Sequence, residues 1–412
     1  MKARSIARNV DLLGAVDWDR RQFESLMPLP DGTSYNSYLI RGTEATALVD
    51  TVDPTMLDVL LGQLANVPKI DYIVTQHAEQ DHSGSLPAII AKYPEAQIVC
   101  STKCKPMLLE LLPLPEDRIV TVEDGETLSL GDKTLRFVYT PWVHWPETMV
   151  TYLEQDRILF TCDFFGSHLA TSEIYADESR VYAPAKRYYA EIMMPFRKFV
   201  QGNLDKLAEL TGGVAGSDLA LICPSHGPIY NRPAFILGAY RDWAFGDPKN
   251  IVVLPYATMH GGTKLMVDYL VSALVERGVI VEQINLAELD LGKLSIALVD
   301  AATIVIGTPT VLGGPHPAAA YAAFLANVLK PKAQFLSVIG SYGWSGRTVE
   351  QLTSLLGNLR VEFIPPVLSK GLPGGADFVA LDELAEAIAA KHTEIGARQS
   401  AERNNLDVVS PN

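Results

Sequence analysis

Up to about residue 248 the apolar positions come in short runs separated by turns. Tyr38-Leu39-Ile40, Ala47-Leu48-Val49 and Asp71-Tyr72-Ile73-Val74 each read as a strand. The segment Phe245-Gly246-Asp247-Pro248-Lys249-Asn250 carries turn and linker residues. Beyond it the pattern becomes regular. Strands are predicted at Ile251 to Pro255, Val279 to Ile284, Thr303 to Gly307, Phe335 to Ile339 and Val361 to Pro365. Helices are predicted at Lys264 to Glu276, Ala318 to Leu329, Val349 to Leu356 and Leu381 to His392. Such alternation implies βαβ units and a parallel sheet. Two domains are therefore expected, residues 1–248 and 249–393, followed by a polar tail over 394–412. A chain of 412 residues is long for a single core, which agrees with that division.

Composition narrows the function. With 34 basic and 48 acidic residues the net charge is 34 − 48 = −14, which repels phosphate backbones and anionic lipid. Neither a nucleic-acid nor a membrane role is expected. The most apolar stretch, Ile296 to Leu312, is broken by Asp300, Gly307 and Pro309, well short of a membrane span of roughly 20 residues. Four cysteines (Cys100, Cys104, Cys162, Cys223) make no disulfide scaffold in a chain of this length. They read as buried thiols, and the expected home is a reducing cytoplasm.

The densest chemistry is His77-Ala78-Glu79-Gln80-Asp81-His82, directly after the strand Ile70 to Val74. On extended chain His77, Glu79 and Asp81 share a face, and His82 turns in from a following helix. Four potential ligands in six residues are hard to explain as structure, because each would need its own buried partner. His144, Asp163 and His226 follow at wide spacing, each at the end of an apolar run. The set comprises four histidines and three carboxylates, enough for two adjacent metals sharing one carboxylate.

The pattern H-x-[HE]-x-D-H with separated His, Asp and His resembles the metallo-β-lactamase superfamily, an αββα sandwich. With glutamate at position 79 it is similar in particular to the flavodiiron proteins. The substitution makes chemical sense. All-nitrogen pockets suit zinc, whereas mixed carboxylate and imidazole ligation suits iron that changes oxidation state. The resemblance implies that His77, Glu79 and His144 hold one iron, Asp81, His82 and His226 the other, and Asp163 bridges them.

Three loops at strand ends form the second constellation. They are Thr258-Met259-His260-Gly261-Gly262-Thr263, Pro309-Thr310-Val311-Leu312-Gly313 and Ser341-Tyr342-Gly343-Trp344-Ser345-Gly346. Hydroxyls and glycines before a helix cradle phosphate, and strand ends of a doubly wound sheet are where its ligand sits. Neither a Walker loop nor G-x-G-x-x-G is present, which disfavours adenine dinucleotides. The loops resemble the FMN loops of flavodoxin. The resemblance thus implies FMN on a flavodoxin-like, doubly wound, five-stranded parallel sheet. The stretch Val311-Leu312-Gly313-Gly314-Pro315-His316-Pro317 stands where many flavodiiron proteins carry asparagines, and it is similar to the coenzyme F420H2 oxidases of methanogens. The donor is then reduced F420 or rubredoxin.

Two ferrous ions and a reduced flavin hold the four electrons that turn O2 into two waters, and two NO need only two to give N2O. The expectation is an oxygen reductase with nitric oxide reduction as a second activity. The resemblance further implies a head-to-tail homodimer, or a dimer of dimers, in which FMN of one chain faces the irons of the other. His168 is a candidate to donate to bound oxygen species, or satisfies a backbone carbonyl. Tyr188 and Tyr189 match a family segment near the site and otherwise read as packing groups. The rival reading is a zinc hydrolase of metallo-β-lactamase type fused to a flavodoxin-like electron carrier. Glu79 argues against it.

Overall fold

The computed structural model describes residues 2–213, 218–288, 290–344 and 346–408, with side chains to residue 397. It divides into two units between Ala244 and Phe245.

The first unit stacks two sheets. One has seven strands in the order Arg4–Ala7, Val10–Asp17, Thr33–Arg41, Thr46–Val49, Tyr72–Val74, Gln97–Ser101 and Ile119–Val122. The other has five, Thr127–Ser129, Thr134–Tyr139, Met149–Leu153, Ile158–Cys162 and Leu221–Pro224. Alternation along each strand decides what meets what. Tyr38, Ile40, Ala47 and Val49 point between the sheets, where they pack with Phe137, Phe160 and Cys223. Leu39 and Leu48 point the other way, onto Leu60, Leu86, Ile89 and Leu108 of the covering helices. All four cysteines are buried and free. The pairing that matters most is parallel. Ile158–Cys162 lies beside Leu221–Pro224, so the chain segments after both strands emerge at the same end.

The second unit is a parallel sheet in the order Ile280–Asn285, Lys249–Tyr256, Ala301–Gly307, Phe335–Tyr342 and then an edge strand. Its edge is in two pieces, Glu362–Phe363 and Val367–Lys370, both paired parallel to Phe335–Tyr342. Pro365 and Pro366 lie between the pieces, and having no N–H they cannot extend the ladder. This is the doubly wound arrangement of five strand positions, with helices such as Gly262–Glu276 and Pro317–Leu329 as crossovers. The helix Leu291–Asp300 was not anticipated, because its uniformly apolar face merges with the strand that follows it. The last helix runs from Gly375 to Val408, far past the expected His392. Alanine, glutamate and arginine are good helix formers, which extends it. Residues 409–412 of the expected tail lie outside the described residues. Among the described residues no helix is long and apolar enough to cross a membrane.

Candidate metal centre and ligand cavity

Four strands end at one edge of the sandwich, and each hands a candidate ligand to the same place. His77 follows Tyr72–Val74, His144 lies between Thr134–Tyr139 and Met149–Leu153, Asp163 follows Ile158–Cys162 and His226 follows Leu221–Pro224. Buried Asp50 ties two of these loops together. Its carboxylate accepts from the Gln76 backbone N–H at 2.9 Å, from Gln76 Nε2 at 2.7 Å and from Ser225 Oγ at 3.2 Å. Asn36 Nδ2 donates to Pro224 O and Gly227 O, at 2.9 and 2.7 Å, and so fixes the turn at His226. Gly227 has φ +82°, and a Cβ there would come within 2.1 Å of Ser167 Oγ, so only glycine fits.

The seven residues separate into two groups. Ligand atoms of His77, Glu79, His144 and Asp163 lie within 4.8 Å of one another, and so do those of Asp81, His82 and His226. Glu79 Oε2 is 3.0 Å from His77 Nε2 and 3.1 Å from His144 Nε2. Asp81 Oδ2 is 3.1 Å from His226 Nε2. Asp163 faces both groups. Its Oδ2 is 3.5 and 3.4 Å from the Nε2 atoms of His77 and His144, and its Oδ1 is 2.9 and 3.3 Å from those of His82 and His226. Ligands about 2.1 Å from a shared ion stand roughly 3.0 to 3.4 Å apart, the spacing seen here. Asp81 Oδ1 and Oδ2, both nitrogens of His82 and Asp163 Oδ2 are buried without a hydrogen-bond partner, a cost that a cation removes. The residues fit a pair of metal ions.

One expectation of local geometry changes. A short helix, Gln80–Ser83, begins immediately after Glu79. His77 and Glu79 therefore share a face as extended chain should. Asp81 is carried by the helix to the second group, beside His82.

Charge follows the same geometry. Burial pushes the Asp163 carboxyl up, but the imidazoles of His82, His144 and His226 outweigh it and hold it well below the usual carboxylate range. Burial likewise lowers the histidines, yet Asp163 and Glu79 raise His144 to about 9, and Asp163 and Asp81 raise His226 to about 10. Without metal these two rings hold protons at neutral pH, and a cation must displace them. Loading the metal-free protein at pH 7 is therefore expected to release at least two protons per chain, one each from His144 and His226. Calorimetry in buffers of differing ionisation enthalpy measures this, and uptake without proton release would contradict it.

Two neighbours, Glu147 and Glu24, were not legible as site residues, whereas Tyr188, Tyr189 and His168 were candidates already. Glu147 Oε1 lies 2.7 Å from His77 Nδ1; a carboxylate three residues after His144 was the only available signal. Glu24, on the turn between Gln22–Phe23 and Met27–Pro28, is pushed up to about 7 by burial and by Glu79. Tyr188 Oη donates to Asp163 Oδ1 at 2.8 Å. Tyr189 instead packs against Tyr240 and Trp243. His168 Nδ1 is 2.9 Å from Thr33 Oγ1, its Nε2 is buried without a partner, and its ring lies 5.0 Å from that of His226. Burial and the neighbouring His226 push it well below the ordinary histidine value.

In the second unit a cavity of about 450 Å3 opens at the carboxyl ends of the strands. Thr258, Met259, His260 and Gly262 line it from the first predicted loop, Pro309 and Thr310 from the second, and Ser341, Tyr342, Gly343 and Trp344 from the third. Gly371 and Leu372, after the edge strand, form a fourth wall that the sequence did not signal. Gly261, with φ +86°, starts the helix Gly262–Glu276. Thr263 is buried, its Oγ1 3.2 Å from Ser341 Oγ. Val311, Leu312 and Gly313 belong to a small hairpin, Thr310–Val311 with Gly314–Pro315, and Leu312 is fully exposed at its turn. Gly346 lies outside the lining and Ser345 outside the described residues. A helix N-terminus facing a cavity with aromatic walls fits a phosphate joined to a flat ring, the parts of FMN.

A family model described as the ODP family beta lactamase matches residues 33–227. The chain is 32% identical over 397 residues to the nitric oxide reductase of Moorella thermoacetica, covering 94% of this chain and 98% of that one. It is 34% identical over 367 residues to the coenzyme F420H2 oxidase of Methanothermobacter marburgensis, covering 86% and 90%. Among solved structures, the rubredoxin oxygen:oxidoreductase of Desulfovibrio gigas superimposes with a TM-score of 0.91 at 30% identity, covering 96% of this chain and 100% of that one. The flavodiiron protein of Giardia intestinalis does so with a TM-score of 0.87 at 26% identity, covering 97% and 98%.

Proposed function

Because this chain belongs to the flavodiiron proteins, whose cofactors are FMN and two irons, we propose that it reduces O2 to water, with reduction of NO to N2O as a second activity. His77, Glu79 and His144 would hold one iron, Asp81, His82 and His226 the other, with Asp163 facing both. The observation that carries this reading is Asp163, which turns one carboxylate oxygen toward each group. When bound, two ferrous ions and the reduced flavin supply the four electrons that O2 requires.

The chain's own residues prepare the place. Tyr188 holds the shared carboxylate in orientation. Trp145 stands edge-on to His77 with ring centres 4.9 Å apart, and Phe23 and Tyr35 flank His226 at 6.2 and 5.6 Å. These rings wall the ligands with apolar surface on two sides. His168 Nε2 is buried without a partner beside His226 and, in the tautomer that carries its proton there, would donate a hydrogen bond toward the substrate. The cavity lined by Thr258, Thr310, Ser341 and Tyr342 in the second unit would hold FMN, which would supply the electron relay. The reading includes a cytoplasmic head-to-tail homodimer, or a dimer of such dimers, in which each flavin faces the partner chain's irons. Reduced F420 is the favoured donor, on the strength of Val311 to Pro317, and rubredoxin the other.

Elemental analysis of the purified native protein is the direct test. About two irons per chain are expected, with oxygen uptake driven by reduced F420 or reduced rubredoxin. About two zincs and little iron would overturn the reading.

A further inference from the structure

The two groups of ligands differ in what stands behind their histidines. His77 presents Nε2 to Glu79 and Asp163, and its Nδ1 lies 2.7 Å from Glu147 Oε1. The Glu147 side chain is entirely out of solvent, and the same oxygen accepts from the Ala78 backbone N–H at 3.0 Å. Its main chain is also held. Ser101 Oγ donates to Glu147 O at 2.7 Å and accepts from Cys104 N–H at 3.2 Å. Glu147 therefore joins the His77 loop, the His144 loop and the end of the strand Gln97–Ser101.

Among the described residues, nothing comparable backs the other group. His226 Nδ1 lies 2.8 Å from a backbone carbonyl, Ser34 O, and His82 Nδ1 is buried without a partner. Asp50, the other buried carboxylate nearby, is bonded to Gln76 and Ser225 rather than to a ligand imidazole. Each group has one carboxylate of its own, Glu79 or Asp81, and both share Asp163. The ligand charges thus balance; Asp50 acts on His82 only through space, and Glu147, in direct contact with His77, is left as the difference. A carbonyl is a neutral dipole, whereas a carboxylate accepting from Nδ1–H pushes electron density into the ring and makes Nε2 the stronger donor.

We propose that Glu147 is a positioning residue that makes the two irons electronically unequal: acting through His77, it stabilises the ferric state of the ion held by His77, Glu79 and His144, which is then the harder of the two to reduce. The inference deepens the proposed function and rests on its ligand assignment. Glu147 fixes the His77 tautomer, adds a buried negative charge one residue behind the metal, and does neither for His82 or His226.

The test is a redox titration of the iron-loaded, FMN-containing protein, followed by electron paramagnetic resonance, with wild type beside Glu147→Gln. Glutamine keeps an acceptor for His77 and Ala78 but removes the charge. The more negative of the two iron couples is expected to move up while the other stays. If the loss of ferric over ferrous preference matches the ten- to hundred-fold that such partners contribute to metal affinity, it corresponds to about 60 to 120 mV at 59 mV per tenfold. Two unmoved couples, or two that move together, would overturn the proposal. Should Glu147→Gln not fold, Glu147→Asp takes its place. It keeps the charge one carbon farther from His77 and must move the same couple upward by less; no movement has the same force. Redox-silent metals in wild type would sink the proposed function itself. Ordinary wild-type couples with an unshifted variant sink this inference alone.

Discussion

Asp163→Ala is expected to leave the protein folded but to cost it most of its iron and at least about a thousandfold in oxygen reduction. A partner that only supports a ligand is worth about 10- to 100-fold in metal affinity, and Asp163 faces both groups at 2.9 to 3.5 Å. Its loss leaves four imidazoles crowded together with one carboxylate for each pair, so their mutual repulsion is no longer offset. Tyr188 Oη would lose its acceptor at the same time. Iron per chain and oxygen uptake are measured on the same preparation. Two irons retained with unimpaired uptake would remove Asp163 from the centre.

The second large effect is expected in the other unit. A Cβ at Gly340 would lie 1.8 Å from Thr308 O, across neighbouring parallel strands. Gly340→Ala must push those strands apart, and overpacking of this kind costs about 1 to 3 kcal/mol or more. Both strands lead straight into walls of the cavity, Pro309 and Thr310 on one side, Ser341 and Tyr342 on the other. FMN content is expected to fall below about a tenth of wild type, and donor-driven oxygen uptake with it, on the same clash argument. Iron content should hold, since every proposed ligand lies in the first unit. Full flavin with unchanged uptake would show that these loops do not form the site.

What the sequence revealed of this molecule, and what it hid, divides along physical lines. His77, Glu79, Asp81 and His82 were legible because so many ligand side chains in one short stretch have no ordinary structural use. His144, Asp163 and His226 were legible only as a set, since each alone resembles a buried polar residue. The allocation of Asp81 depended on where a four-residue helix begins, and one residue of difference in that start changes the face. Glu147 was invisible because its role depends on a contact between residues 70 apart, and no local pattern marks a carboxylate that supports a ligand. Of Tyr188 and Tyr189, only the packing of neighbouring rings decides which reaches Asp163. The alternating elements of the second unit were legible from periodicity. Its split edge strand was not, because pieces of two and four residues flanking prolines carry little pattern.

The parallel pairing of Ile158–Cys162 with Leu221–Pro224 also sets an order of events as the chain is made. The proposed ligands, from His77 to His226, are spread over much of the first unit, and contacts so distant in sequence form late in folding. A ribosome adding about 5 to 20 residues per second delivers the first six ligands several seconds before His226. In that interval the Asp81 and His82 side is still open, and the strand that closes it has not yet docked. The Asp81 and His82 group can retain metal only once that last strand brings His226 into place. The centre is therefore assembled by completion of the sandwich, not by the ligand-rich stretch where the sequence concentrates its chemistry.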